Sequence, residues 1–199
     1  SAGCLGTITE VSHTNCAFKP PNISHASAAA LPTAMITADL IMEKIALSQH
    51  KSPHNELSVL LHGISGGVGL ATAQLLVKKG YAVIGSASSV RKRFLMRTLG
   101  FSQMTCTRST DFVGTVALNA LGIGIHSIIN SLTSPGMVAA SLAVLNRYGN
   151  FIEIGKREIW APETALSEKP NCKFDLIATD FLNSDEISTR IQSLSRALC

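Results

Sequence analysis

The stretch LLHGISGGVGLATAQLL, residues 60–76, constrains the fold more than any other part of the chain. An apolar run ends in the glycines Gly63, Gly66, Gly67 and Gly69, and a pattern with helical spacing follows at once. Glycines allow a tight turn and a close backbone approach. The first N–H groups of the following helix, with the positive end of its dipole, then face an anion. Strand, glycine turn and helix in this order make a phosphate-binding unit, and a pyrophosphate is the group that suits it. A purely structural turn uses the same residue type, so the reading rests on the elements around the glycines.

The rest of the chain supplies more of those elements. The apolar runs LSVLLHG, YAVIGSA, QMTCTR, HSIINSL, GNFIEIG and KFDLIATD alternate with spacers such as GLATAQLLVKKG, VRKRFLMRTLG and GMVAASLAVLNRYG, which carry apolar residues at helical spacing. Nearly continuous apolar runs belong to strands covered on both faces. The order predicts an α/β, Rossmann-like, doubly wound parallel sheet of about six strands with flanking helices and right-handed crossovers. NSDEISTRIQSLSRALC predicts a terminal helix with an Asn or Ser cap. Before the alternation begins, SHASAAALPTAMITADLIMEKIALSQ reads as one helix interrupted or restarted at Pro32, and CLGTITEVSHTNCAFKPP as the tail of a β-rich region.

Composition narrows the classes. With 46% hydrophobic and 15% charged residues among 199, the chain is globular and suits one domain with attached structure. Its net charge of +4 comes without a basic block or aromatic-basic interleaving, so a small anion is the expected partner rather than nucleic acid. No apolar run is long enough for a membrane span and the start lacks a signal-peptide layout, so a cytoplasmic protein is expected. Cys4, Cys16, Cys106, Cys172 and Cys199 are scattered and read as reduced thiols. The histidines His13, His25, His50, His54, His62 and His126 show no ligand spacing, so no metal is expected. His62, entering the glycine turn, reads as a packed or hydrogen-bonded strand residue.

Cofactor choice is expected at the end of the second apolar run, where an NAD site offers a carboxylate to the ribose. Here the sequence reads IGSASSVRKR. Ser86, Ser88 and Ser89 donate hydrogen bonds, and Arg91, Lys92 and Arg93 add positive charge, a chemistry that favours the 2′-phosphate of NADPH. Arg108, after the third run, supplies a further guanidinium. The basic trio also suits a solvated helix face.

Together, GGVGLATAQL, SASSVRKR, TRS, INSLTSPGMVAASL, FIEIGKREIW and ATDFLN resemble the zinc-independent medium-chain dehydrogenase/reductases. Within them the similarity is to the enoyl reductase domains of type I polyketide synthases and animal-type fatty acid synthases. The resemblance implies that NADPH delivers hydride to the β carbon of an enoyl thioester on an acyl carrier protein, with a proton added at the α carbon. It places Gly66, Gly67, Val68 and Gly69 in the pyrophosphate loop, and Ser86, Ser89, Lys92 and Arg108 around the 2′-phosphate. Asn130, Ser131, Leu132, Ile154 and Gly155 fall near the nicotinamide. Lys156 matches a proton donor or enolate stabiliser and Asp180 an acidic residue beside it. Asp180 also reads as a cap for the last helix, with Asp175 in reserve.

Relatives carry a GroES-like β domain over the nicotinamide. The resemblance therefore implies that residues 1–25 are the tail of that domain, mostly outside this chain, and that residues 26–199 form the NADP-binding domain. Asp39 stands where many relatives have an aromatic residue. The other domains of a synthase are expected partners, and a homodimer is a further expectation. Alternatives are a degenerate, non-catalytic scaffold domain, a stand-alone quinone or enone reductase, and a cyclopropane-forming relative.

Overall fold

Six segments form one parallel sheet: β1 (Ser58–Leu61), β2 (Ala82–Ala87), β3 (Met104–Cys106), β4 (Ile125–Asn130), β5 (Leu145–Glu153) and β6 (Lys173–Leu176). They lie in the order β3-β2-β1-β4-β5-β6, every neighbouring pair parallel. The computed structural model describes residues 8–48, 57–119, 124–157 and 159–198. The seven helices among them are α1 (His25–Leu47), α2 (Gly67–Lys78), α3 (Val90–Thr98), α4 (Phe112–Asn119), α5 (Met137–Val144), α6 (Pro162–Glu168) and α7 (Ser184–Ala197). This is the doubly wound arrangement that the alternation predicts.

Strand side chains alternate between the two faces. Val59, Leu61, Ile129 and Ile152 pack with α1, α2 and α3 through Ile41, Ile45, Ala73, Leu76 and Met96. Leu60, Ile128 and Phe151 point the other way, onto α4, α5 and α6 through Phe112, Val116, Leu142 and Ala165. Both faces are therefore dry, and the binding surface is left to the loops at the strand ends. The chain order reverses between β1 and β4, which opens a crevice at their C-terminal ends.

One expectation about the first part of the chain is corrected. The helix is not interrupted at Pro32: α1 runs from His25 to Leu47 with the proline inside it. Proline denies the Ala28 carbonyl its helical partner, but the first turns of α1 lie at the surface, where water can take that bond. The later turns are anchored by Ile36, Ala38, Leu40, Ile41 and Ile45 against the core, so packing overrides the local break. The β-rich tail does not form a strand among described residues 8–24, which hold only a 3-10 turn at His13–Asn15. Instead the segment is hooked to α7: Asn22 donates to the Leu198 carbonyl at 2.9 Å and Ser195 to the Phe18 carbonyl at 2.7 Å.

The end of the chain is held by charge as well. Arg190 of α7, only 13% exposed, reaches Asp39 at 2.5 Å and Glu43 at 2.8 Å on α1, and Glu186 at 3.2 Å one turn back. Asp39 is thereby a tie between helices. Among the described residues no helix is long and apolar enough to cross a membrane, and no cluster of three possible metal ligands is present. Cys16, Cys106 and Cys172 are free thiols.

Candidate functional site

The glycine turn leaves the end of β1 and enters α2. Gly63 has φ +68°, the left-handed region, and a Cβ there would lie 3.1 Å from Ser131 Oγ. Gly69 is tighter still: a Cβ would lie 2.4 Å from the Gly63 carbonyl oxygen and 2.7 Å from Ile64 Cα. Only glycine lets the helix close onto its own turn there. Gly66 caps α2 without a side-chain hydrogen bond, and Gly66 and Gly67 are exposed beside the half-buried Val68. The first-turn N–H groups of α2 thus face the crevice uncapped, which is an anion-binding helix terminus.

On one side of this turn, at the ends of β2 and β3, Ser88, Ser89, Lys92 and Arg108 come together. Ser89 caps α3, accepting from Lys92 N at 3.2 Å, and Arg108 Nε donates to the Ser88 carbonyl at 3.3 Å. Lys92 and Arg108 are exposed, while Arg93 folds back onto the Ala87 carbonyl at 2.9 Å. Arg91 is exposed on the same first turn of α3.

Ser86 departs from the expectation. It is fully buried, and its hydroxyl lies 2.8 Å from Nδ1 of His62 rather than in the crevice. It occupies an inward position of β2, and strand alternation decides its direction. The other ring nitrogen, Nε2, lies 2.9 Å from Ser141 Oγ. Ser141 spends its proton on the Met137 carbonyl at 2.8 Å, so it accepts from Nε2–H, and Ser86 donates to Nδ1. Burial pushes the His62 pKa down to about 3, which keeps the ring neutral. His62 is therefore a buried, hydrogen-bonded structural residue just past the end of β1, where the chain enters the glycine turn.

On the other side of the turn, at the ends of β4 and β5, Asn130 ties itself to the loop that follows. Its Oδ1 accepts from Leu132 N at 3.2 Å and its Nδ2 donates to the Leu132 carbonyl at 3.1 Å. The turn of Asn130, Ser131 and Leu132 abuts the glycine turn through Ser131 and Gly63. The Asn130 carbonyl accepts from Ile154 N at 2.9 Å, so Ile154 and Gly155 stand beside it. Glu153, which sequence reasoning missed, joins these parts: it accepts from Asn130 Nδ2 and from Gly155 N, both at 2.6 Å. Desolvation raises its pKa, against the opposing pull of those bonds. The signal was a carboxylate inside the apolar run GNFIEIG, read there as strand alone.

Lys156 follows at the strand's exit and forms an ion pair with Asp180, both side chains about two-thirds exposed. The two candidates for the proton step are thus neighbours. Asp180 does not cap α7, since Asn183 does so by accepting from Glu186 N at 2.8 Å. Asp175 is buried on β6, in register with Ile152, and is paired with Lys44 and Lys173, which removes it as a candidate.

Comparison with known proteins agrees with this geometry. No protein-family model matches the chain. The phthioceranic/hydroxyphthioceranic acid synthase of Mycobacterium tuberculosis is 31% identical over 158 residues, covering 79% of this chain and 7% of the synthase. The crystal structure of the JamJ enoyl reductase matches with a TM-score of 0.81 at 28% identity, over 95% of this chain and 57% of that one. The chain is a relative of the polyketide synthase enoyl reductases. This polyketide synthase relative spans a small part of the synthase and rather more than half of the solved reductase. In fold it also matches the nucleotide-binding subdomain of the enoyl reductase domain of PpsC from Mycobacterium tuberculosis, with a TM-score of 0.65 at 24% identity over 86% of this chain and 90% of that one.

Proposed function

We propose that this chain is the NADPH-binding portion of a polyketide synthase enoyl reductase, an oxidoreductase that saturates the α,β-double bond of an enoyl thioester carried on an acyl carrier protein. The observation that carries the reading is the distribution of groups about the crevice between β1 and β4. An uncapped helix terminus lies at its centre, a serine and basic cluster on the β2 side and a lysine-carboxylate pair on the β5 side.

The residues present fit the cofactor. The cradle at Gly66 and Gly67 has no side chain to fill it, and Gly69 admits none, which suits close approach of a pyrophosphate to the backbone. Ser88, Ser89, Lys92 and Arg108 offer hydrogen bonds and two positive charges to a 2′-phosphate, and the stretch IGSASSVRKR at the end of β2 carries no carboxylate to repel it. The buried Ser86 contributes through its backbone, accepting from Ile64 N at 3.1 Å and so fixing the turn. Asn130, Ser131, Leu132, Ile154 and Gly155 form the platform for the nicotinamide half.

The bound cofactor supplies the hydride. The chain's own part in the chemistry falls to Lys156, whose ammonium stabilises negative charge developing on the thioester oxygen or supplies the proton at the α carbon, with Asp180 orienting it. Residues 1–25 are assigned as the tail of the substrate domain and 26–199 as the cofactor domain. The other synthase domains are the natural partners, and self-association of the chain as a homodimer is part of the same proposal.

The test is calorimetric titration of the chain with NADPH and, separately, NADH. Micromolar or tighter NADPH binding with clear preference over NADH is expected. Binding of neither overturns the reading and returns the fold to a scaffold role. The complete domain is then assayed with a crotonyl thioester, and reduction of a free quinone in place of the thioester overturns the substrate assignment.

A further inference from the structure

Glu153 is an unusual residue to find at the end of a central strand. It is 2% exposed, and it stands in direct register with Asn130 of the neighbouring strand. Burial disfavours its charge, yet the groups bonded to its two oxygens, Asn130 Nδ2 and Gly155 N–H, are both donors. Asn130 cannot turn its amide over to offer an oxygen, because Oδ1 already accepts from Leu132 N while Nδ2 also serves the Leu132 carbonyl. An acceptor is therefore needed at both oxygens, and only a carboxylate supplies two. The fit at Gly155 is close, since a Cβ there would lie 2.7 Å from Glu153 Oε1.

Through these bonds one side chain holds both halves of the β4/β5 platform: the loop of Asn130, Ser131 and Leu132, and the backbone of Ile154 and Gly155. We propose that Glu153 is the positioning residue of the nicotinamide half-site, setting the spacing between the Asn130 loop and Gly155 without itself touching the cofactor. The inference rests on the enoyl reductase reading above and adds a residue to it. The adenosine half-site, built from β2, α3 and β3 across the β1/β4 crevice, shares no hydrogen bond with Glu153. The two halves are thus separable by ligand.

The substitution Glu153→Gln keeps shape and places one donor where two acceptors are required. Whichever way the new amide is turned, one N–H faces another, at Asn130 or at Gly155. Adding Asn130→Asp removes that conflict: the carboxylate at 130 accepts from the new amide and from Leu132 N, while the amide oxygen accepts from Gly155 N. The carboxylate oxygen that replaces Nδ2 also faces the Leu132 carbonyl, so one acceptor–acceptor contact is left and the repair is partial.

The 199-residue chain and both variants are titrated calorimetrically with NADPH and with adenosine 2′,5′-bisphosphate, which carries the 2′-phosphate and lacks the nicotinamide. Glu153→Gln is expected to weaken NADPH about tenfold, the effect of one buried mismatched polar pair, and to leave the bisphosphate unchanged. The double variant is expected to recover part of the loss. Unchanged NADPH affinity in Glu153→Gln, or equal weakening of both ligands, overturns the proposal. If the single variant does not fold, the double variant decides: NADPH weakened by less than about tenfold with the bisphosphate unchanged supports the role, and a larger selective loss or equal weakening of both ligands overturns it. Failure of both variants to fold makes Glu153 a structural tie and overturns the proposal. If the unaltered chain binds neither ligand, the cofactor reading itself fails and this inference falls with it.

Discussion

His62 makes a quantitative prediction about acid stability. The ring is 1% exposed and lies between the hydroxyls of Ser86 and Ser141, with Phe112 edge-on at 5.2 Å between centroids. Desolvation lowers its pKa from 6.5 to about 3. As pH falls through the unfolded value, the unfolded chain takes up a proton that the native chain refuses. Stability is therefore full above that range and is lost progressively as pH drops towards the folded value. At about pH 5 the loss from this residue alone is roughly 2 kcal/mol relative to neutral pH, a large share of a typical stability of about 5–15 kcal/mol. Urea unfolding at the two pH values, for the unaltered chain and for His62→Gln, isolates the term. The carboxylates and His126, whose pKa burial also lowers, titrate in both chains and drop out of the difference. The unaltered chain is expected to lose roughly 2 kcal/mol more than the variant over this interval, whatever their absolute stabilities. Equal losses, or an NMR titration of the His62 ring with a midpoint near 6.5, refute the reasoning.

The remaining predictions concern the crevice. Gly69→Ala drives a methyl into backbone atoms as close as 2.4 Å, so it should lower stability by at least about 1–3 kcal/mol and depress the melting temperature. Gly67→Ala, whose Cβ would meet only the Ala34 side chain of α1 at 3.7 Å, an ordinary contact, should melt no lower than the unaltered chain. Lys92→Ala and Arg108→Ala should each weaken NADPH about tenfold and NADH little, the loss of one charge-assisted contact to a phosphate; equal weakening of the two cofactors removes them from the 2′-phosphate site. Lys156→Ala should leave NADPH affinity nearly intact and slow turnover of a complete domain, and an unchanged rate returns Lys156 to an exposed turn.

Much of this was legible along the chain because its causes are local. The six apolar runs became the six strands and the glycine cluster became the turn between β1 and α2, since burial on two faces and freedom at φ are properties of residue type. The cap of α7 was legible too, once Asn183 rather than Asp180 is recognised as the residue with the right offset. Residues that failed did so through contacts distant in sequence. Pro32 did not break α1 because the core holds the later turns. Ser86 lies inward on β2, where its hydroxyl meets His62, 24 residues before it. Asp175 and Asp180 look alike in sequence, yet one is buried between two lysines of α1 and β6 and the other is exposed beside Lys156.

The sequence by itself determined the α/β class, the strand order of hydrophobicity and the position of the anion-binding turn, because periodicity and glycine placement act within a few residues. The tertiary structure alone decided which polar side chains face the crevice. It brought Lys156 to Asp180, set Glu153 against Asn130 across two strands and closed His62 into a dry network. Those outcomes depend on strand register and on which face of the sheet each residue meets, and both are settled only when the six strands are laid side by side.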